Sequence, residues 1–150
     1  MVTDLPPRSA GVAHDARAAV PLAAGVLAPP GADLVLAEWA DPGGATDPPR
    51  YIAPLHVHHR DDEAWYVLAG ALRFRLGDDV VEAAAGGAVI APAGTPHTYW
   101  NPRAEPARYV LVMTARIRAL IDAIHALEGR DPAALAAVFR AHESEQLGWP

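Results

Sequence analysis

The stretch Pro54–Gly70, Pro-Leu-His-Val-His-His-Arg-Asp-Asp-Glu-Ala-Trp-Tyr-Val-Leu-Ala-Gly, limits the possible folds of this chain more than any other. On a β-strand His56 and His58 leave the same face, with Leu55 and Val57 on the other. Glu63 comes five positions after His58, an offset that cannot share that face on one uninterrupted strand. The polar insert His59-Arg60-Asp61-Asp62 therefore reads as a reversal. Beyond it Glu63, Trp65, Val67 and Ala69 form one face of a new strand, opposite Ala64, Tyr66 and Leu68. Glu63 can then turn back toward the histidines, with Trp65 on their side.

A second segment, Gly86–Asn101, supplies His97 just after the tight turn Pro92-Ala93-Gly94-Thr95-Pro96, and puts His97, Tyr99 and Asn101 on one strand face. Tyr66 and Trp100 point the other way by parity and are expected as core between sheets. His56, His58, Glu63 and His97 together offer three imidazoles and a carboxylate. With a divalent ion the set carries a net charge of +1 and leaves open positions for substrate, water or dioxygen. The chain has no cysteine, so only nitrogen and oxygen ligands are available. Without a metal, four polar groups converging inside a barrel would be costly to bury. The plainer alternative treats them as ordinary polar residues at strand ends.

A chain of 150 residues that is 51% hydrophobic fits one domain, and its 15 prolines and 12 glycines suit short strands joined by tight turns. Residues 1–17 read as a flexible arm with His14 solvated. The apolar run Ala18–Ala28 is interrupted by Pro21 and Gly25 and preceded by Asp4 and Asp15, so it is not read as a signal peptide, and the expected location is cytoplasmic. Strands are expected over Asp33–Ala40, Tyr51–His58, from Glu63 to the break at Gly70, and over Leu72–Leu76. A hairpin at Gly77-Asp78-Asp79 leads to Val80 and Val81, followed by Ala88–Ala91, His97–Asn101 and a final strand Arg108–Thr114. The period then changes. Ile117, Leu120, Ile121, Ile124 and Leu127 mark a helix ended by Gly129, and Asp131-Pro132 starts a second with Leu135, Val138 and Phe139 as its stripe. The expected fold is mainly β, a closed antiparallel barrel or jelly roll over 18–115, with a helical extension over 116–150 that closes the mouth or packs a dimer interface.

These segments resemble the two motifs of the cupin superfamily. The first, G-x5-H-x-H-x3,4-E-x6-G, is matched by His56, His58, Glu63 and Gly70, and the second, G-x5-P-x-G-x2-H-x3-N, by Gly86, Pro92, Gly94, His97 and Asn101. Arg50 stands where the first motif begins with glycine. The resemblance implies a cupin-type double-stranded β-helix, a jelly-roll barrel, in a small single-domain chain similar to the quercetin-dioxygenase-like cupins. It also implies one divalent ion (Fe, Mn, Zn or Ni) on His56, His58, Glu63 and His97, and a homodimer.

Superfamily membership does not name the reaction, because cupins span many chemistries. The leading expectation is a dioxygenase-type oxidoreductase acting on a small enol or phenol, with Glu63 taking the substrate proton, Tyr99 as a second catalytic candidate, and Trp65 and Tyr99 walling the pocket. The second is a redox-neutral cyclase, isomerase or lyase with Tyr99 or Glu63 moving the proton. Cupin lyases that cleave dimethylsulfoniopropionate carry a tyrosine where this chain has Trp65, which disfavours that activity. The third is a small-molecule-binding module without catalysis. A net charge of −6 with no basic run excludes nucleic acid and anionic membranes as expected partners. Arg73 and Arg75 are expected on a solvated face, His59 on the exposed reversal and Asn101 as the brace of a turn. His125 and His142 are assigned no chemistry.

Overall fold

The computed structural model describes Leu22, residues 25–129 and residues 131–150; the expected arm over 1–17, with His14, lies outside them. Among the described residues the elements in chain order are β1 (Val26–Leu27), β2 (Leu34–Asp41), β3 (Leu55–His58), β4 (Glu63–Ala69), β5 (Ala71–Leu76) and β6 (Asp79–Ala84). There follow β7 (Ala88–Ala91), β8 (His97–Trp100), β9 (Ala107–Thr114), α1 (Ala115–Ala126), α2 (Pro132–Ala141) and β10 (Ser144–Gly148). The strands form two antiparallel sheets, ordered β1-β2-β9-β4-β7 and β10-β3-β8-β5-β6.

The reversal at residues 59–62 does more than turn the chain: it carries β3 in one sheet to β4 in the other. Alternation on β4 is as expected, with Glu63, Trp65 and Val67 buried and Tyr66 facing out. Trp65 and Val67 join Leu72, Phe74, Tyr109, Leu111 and Met113 in one core between the sheets. β2 alternates weakly because two of its buried residues are acids with cationic partners: Glu38 pairs with Arg108 at 2.8 Å, and Asp41 with Arg50. The strand expected over Tyr51–His58 begins only at Leu55, since Pro54 has no N–H for a ladder, and Tyr51 touches the sheet through a single bridge to Trp100.

Three expectations are corrected. Tyr66 is not core but 46% exposed, because none of the described residues covers the outer face of β4 at that point. Trp100 is buried as expected, but outside the core cluster between the sheets, edge-on to Tyr51 at 5.3 Å. The region 116–150 is not wholly helical, nor is β9 the final strand, because β10 returns to pair with β3, Ser144 opposite His58 and Gln146 opposite His56. Ser-Glu-Gln-Leu-Gly carries no alternating apolar signal; its pairing is a backbone matter at a sheet edge.

Both helices are capped by side chains. Thr114 accepts from the Ile117 N–H and Asp131 from the Ala134 N–H, with Pro132 at the first turn. Of the two uses expected for their apolar stripe, the structure shows the cover of the barrel mouth, where Ile117, Leu120 and Phe139 are buried. Among the described residues no helix is long and apolar enough to cross a membrane.

Candidate metal centre and cavity

β3 brings His56 and His58, β8 brings His97, and β4 brings Glu63 from the facing sheet. His56 pairs with His97 in register across β3 and β8. All four side chains are buried, and one ligand atom from each lies within 4.8 Å of the others. Glu63 Oε2 is 2.9 Å from His97 Nε2, 3.3 Å from His58 Nε2 and 3.9 Å from His56 Nε2.

The Nδ1 contacts fix the tautomers. His56 Nδ1 lies 2.7 Å from the Pro54 carbonyl and His97 Nδ1 2.8 Å from the Thr95 carbonyl; a carbonyl only accepts, so each Nδ1 carries the proton. His58 Nδ1 lies 2.8 Å from Ser144 Oγ, which gives its own hydrogen to the His142 carbonyl at 3.0 Å and so accepts from His58. Three Nε2 lone pairs therefore face one carboxylate, and His58 Nε2 has no hydrogen-bond partner. Lone pairs and a carboxylate oxygen at these distances repel unless a positive centre lies among them. A divalent ion fits that requirement, and three imidazoles with one carboxylate are a donor set suited to it. Burial lowers the His56 imidazole and keeps it neutral. Burial alone would raise the Glu63 carboxyl, yet its close contacts to His56, His58 and His97 place it well below the ordinary carboxylate range; with Nε2 lone pairs on those rings, that direction requires the positive centre a metal ion would bring.

The quartet opens into a cavity of about 360 Å³. His56, His58 and Glu63 form one end; the walls are largely apolar, from Leu111 in the barrel and Ile117, Leu120, Ile121, Ile124 and Phe139 in the helices. No arginine or lysine lines it among the described residues. Tyr99 lines the cavity as expected, with its hydroxyl 3.1 Å from that of Tyr109. Burial raises the Tyr99 phenol beyond its ordinary range, so it stays protonated. Trp65 is placed differently from expectation. At 1% exposure it is not part of the wall but packs behind His97 (5.6 Å between ring centroids), against Phe74 and Tyr99.

Sequence reasoning missed Trp39, His125, Phe139 and Trp149 as lining residues. For His125 a signal existed: it is four positions after Ile121, on the edge of the apolar stripe. Its ring lies 6.4 Å from that of Trp39. Phe139 meets the His56 ring at 5.8 Å.

A family model described as "Cupin domain" matches residues 43–113, the segment that carries all four candidate ligands. Residues 43–113 are a cupin domain. Solved structures similar to the chain include TT1209 from Thermus thermophilus, at 29% identity over 55% of this chain and 72% of that one, with a TM-score of 0.47. A conserved protein with a double-stranded β-helix domain from Klebsiella pneumoniae is 26% identical over 55% of this chain and 67% of that one, TM-score 0.46. The cupin domain of Schizosaccharomyces pombe Cnp3 is 12% identical over 73% and 69% of the two chains, TM-score 0.49. No curated protein matches the sequence.

Within the cupin domain several motif positions have a visible physical task. Gly70 has φ +75°, and a Cβ there would lie 2.6 Å from the Pro106 carbonyl oxygen, so no other residue fits without a backbone shift. The Gly94 N–H donates to the His58 carbonyl at 2.7 Å, fastening the second motif to the first. Asn101 braces a turn as expected, donating to the Glu105 carbonyl and accepting from the Arg103 N–H, both at 2.9 Å. Arg50, the departure from the motif, pairs with buried Asp41, whose other oxygen accepts from the Gly43 N–H. Arg73 faces solvent and pairs with Glu82.

Proposed function

We propose that this cupin is a mononuclear metal-dependent oxygenase of the dioxygenase type, acting on a small and largely apolar enol or phenol. The observation that carries the reading is a buried His56-His58-Glu63-His97 quartet at one end of a cavity with apolar walls and no cationic lining among the described residues. A substrate suited to it has one acidic hydroxyl or carbonyl group at the metal end and a hydrocarbon or aromatic body. Sugar phosphates and small dicarboxylates would find no arginine or lysine on the walls, only the metal itself. Iron or manganese held by the four residues would supply Lewis-acid polarisation and access to dioxygen.

The chain's own part is orientation, proton handling and exclusion of water. Among the described residues Glu63 is the one carboxylate lining the cavity, so it is the group placed to take the proton of an entering hydroxyl. Tyr99 does not suit the part of base because its phenol holds its proton; it serves as a wall and as a hydrogen-bond donor. Trp65 stiffens His97 from behind. The two helices keep bulk water from the reacting end.

The test is anaerobic incubation of iron- or manganese-loaded protein with flavonols and β-diketones, followed by oxygen. Oxygen uptake with formation of a cleaved product is expected for at least one compound, and none with any of them overturns the reading. Equal turnover with zinc would favour redox-neutral cyclase, isomerase or lyase chemistry. Tight binding without product would favour a binding module.

A further inference from the structure

The three imidazoles are not oriented in the same way. His56 and His97 each use a carbonyl two residues earlier in their own segment, Pro54 and Thr95, so the local chain sets their tautomer. His58 uses Ser144, 86 residues away on β10. Ser144 is 2% exposed, stands directly opposite His58 in the β3–β10 register, and is turned to accept by its own bond to the His142 carbonyl. The turn that delivers it is unusual. Glu143 has a positive φ of 55°, and the His59 N–H donates to the Glu143 carbonyl at 2.9 Å, closing the ladder beside the site. Immediately upstream, His142 Nδ1 lies 2.8 Å from the Val138 carbonyl and Phe139 packs on His56, so α2 holds the same corner from a second side.

We propose that Ser144 is a positioning residue of the metal centre: it fixes His58 in the Nδ1–H tautomer, so that the metal site is complete only when the segment containing α2 and β10 is docked on the barrel. The inference rests on the reading of His56, His58, Glu63 and His97 as a metal site. Docking and metal binding are then reciprocally linked, each strengthening the other. The hydroxyl is the part that matters, because an apolar side chain of similar size would leave the buried His58 Nδ1–H without an acceptor.

The experiment uses the full chain with Ser144→Ala and Ser144→Thr. Manganese and zinc affinities are measured by competition with a chromophoric chelator, and protection of the 131–148 backbone by hydrogen exchange with and without zinc. Ser144→Ala is expected to weaken metal binding about 10- to 100-fold, with Ser144→Thr restoring it to within about threefold. Zinc should slow exchange over 131–148 in the wild type and less so in Ser144→Ala. Long-range proton–nitrogen NMR of the wild type gives a readout independent of folding in the variants: His58 should carry its proton on Nδ1 even without metal. An Nε2–H tautomer there overturns the proposal, as does unchanged affinity in a folded Ser144→Ala protein. A wild type that binds neither ion overturns both this proposal and the metal reading, whereas tight wild-type binding indifferent to Ser144 overturns this one alone.

Discussion

Glu63 and His97 stand 2.9 Å apart although they belong to different sheets, Glu63 on β4 and His97 on β8. An ion held between them would fasten the two sheets of the sandwich to each other, not only decorate one.

We therefore predict that metal loading raises the unfolding midpoint. At a free ion concentration 100 times Kd the gain is about 2.7 kcal/mol, which for a domain of this size amounts to roughly 5–10 °C. His97→Ala should lose both the bound metal and the shift. Calorimetry with elemental analysis checks this, and full occupancy in the variant would remove His97 from the site.

Trp65 and Tyr66 are neighbours in sequence on opposite faces of one strand. Trp65→Ala should cost roughly 3–5 kcal/mol, because it empties space between Phe74, Tyr99 and His97. Tyr66→Ala, at a half-exposed position, should cost about 1 kcal/mol or less. Urea titration of the two variants decides it; equal losses would contradict the assigned burial.

For His125 the expected outcome separates the cavity from the metal. His125→Ala should leave metal content unchanged while weakening binding of an aromatic enol or phenol about tenfold, since its ring lies on the cavity wall beside Trp39. Isothermal titration of zinc-loaded wild type and variant measures both, and unaltered ligand affinity would remove His125 from the binding surface.

A pH effect is expected on the outer face. Arg73 and, more weakly, Arg103 hold the Glu82 carboxyl below its ordinary value of 4.5. A depressed carboxylate stabilises the fold above its unfolded value and loses that contribution as the pH falls through the folded value. Glu82→Gln should thus be less stable than wild type by under about 1 kcal/mol at pH 7, with the gap closing as the pH falls below about 4. A gap that did not shrink at all as the pH fell from 7 into the acid range would contradict the assignment.

The four metal-ligand candidates were legible in the sequence because a period of two and an odd offset leave few ways to bring His56, His58 and Glu63 together, and the motif spacing supplied His97. Depth was not legible. Parity told that Trp65 shares a side with Glu63, but not that it lies behind His97 instead of in the cavity. Parity likewise put Tyr66 on the second face without saying that the face is uncovered. Ser144 was invisible because its role follows from where a polar edge strand docks. The lining role of the α1 stripe was only half visible, since an apolar helix face says that something covers it and not what.

The strands bearing His56, His58, Glu63 and His97 all precede α1, α2 and β10 in the chain. On the ribosome, then, the barrel half of the site emerges before the residues that roof it and before the serine that orients His58. Metal identity would in that case be decided partly by which ion is at hand during that interval, as well as by affinity once the roof is shut. Refolding the chain with one ion added early and a competitor added late would show whether the first arrival is retained.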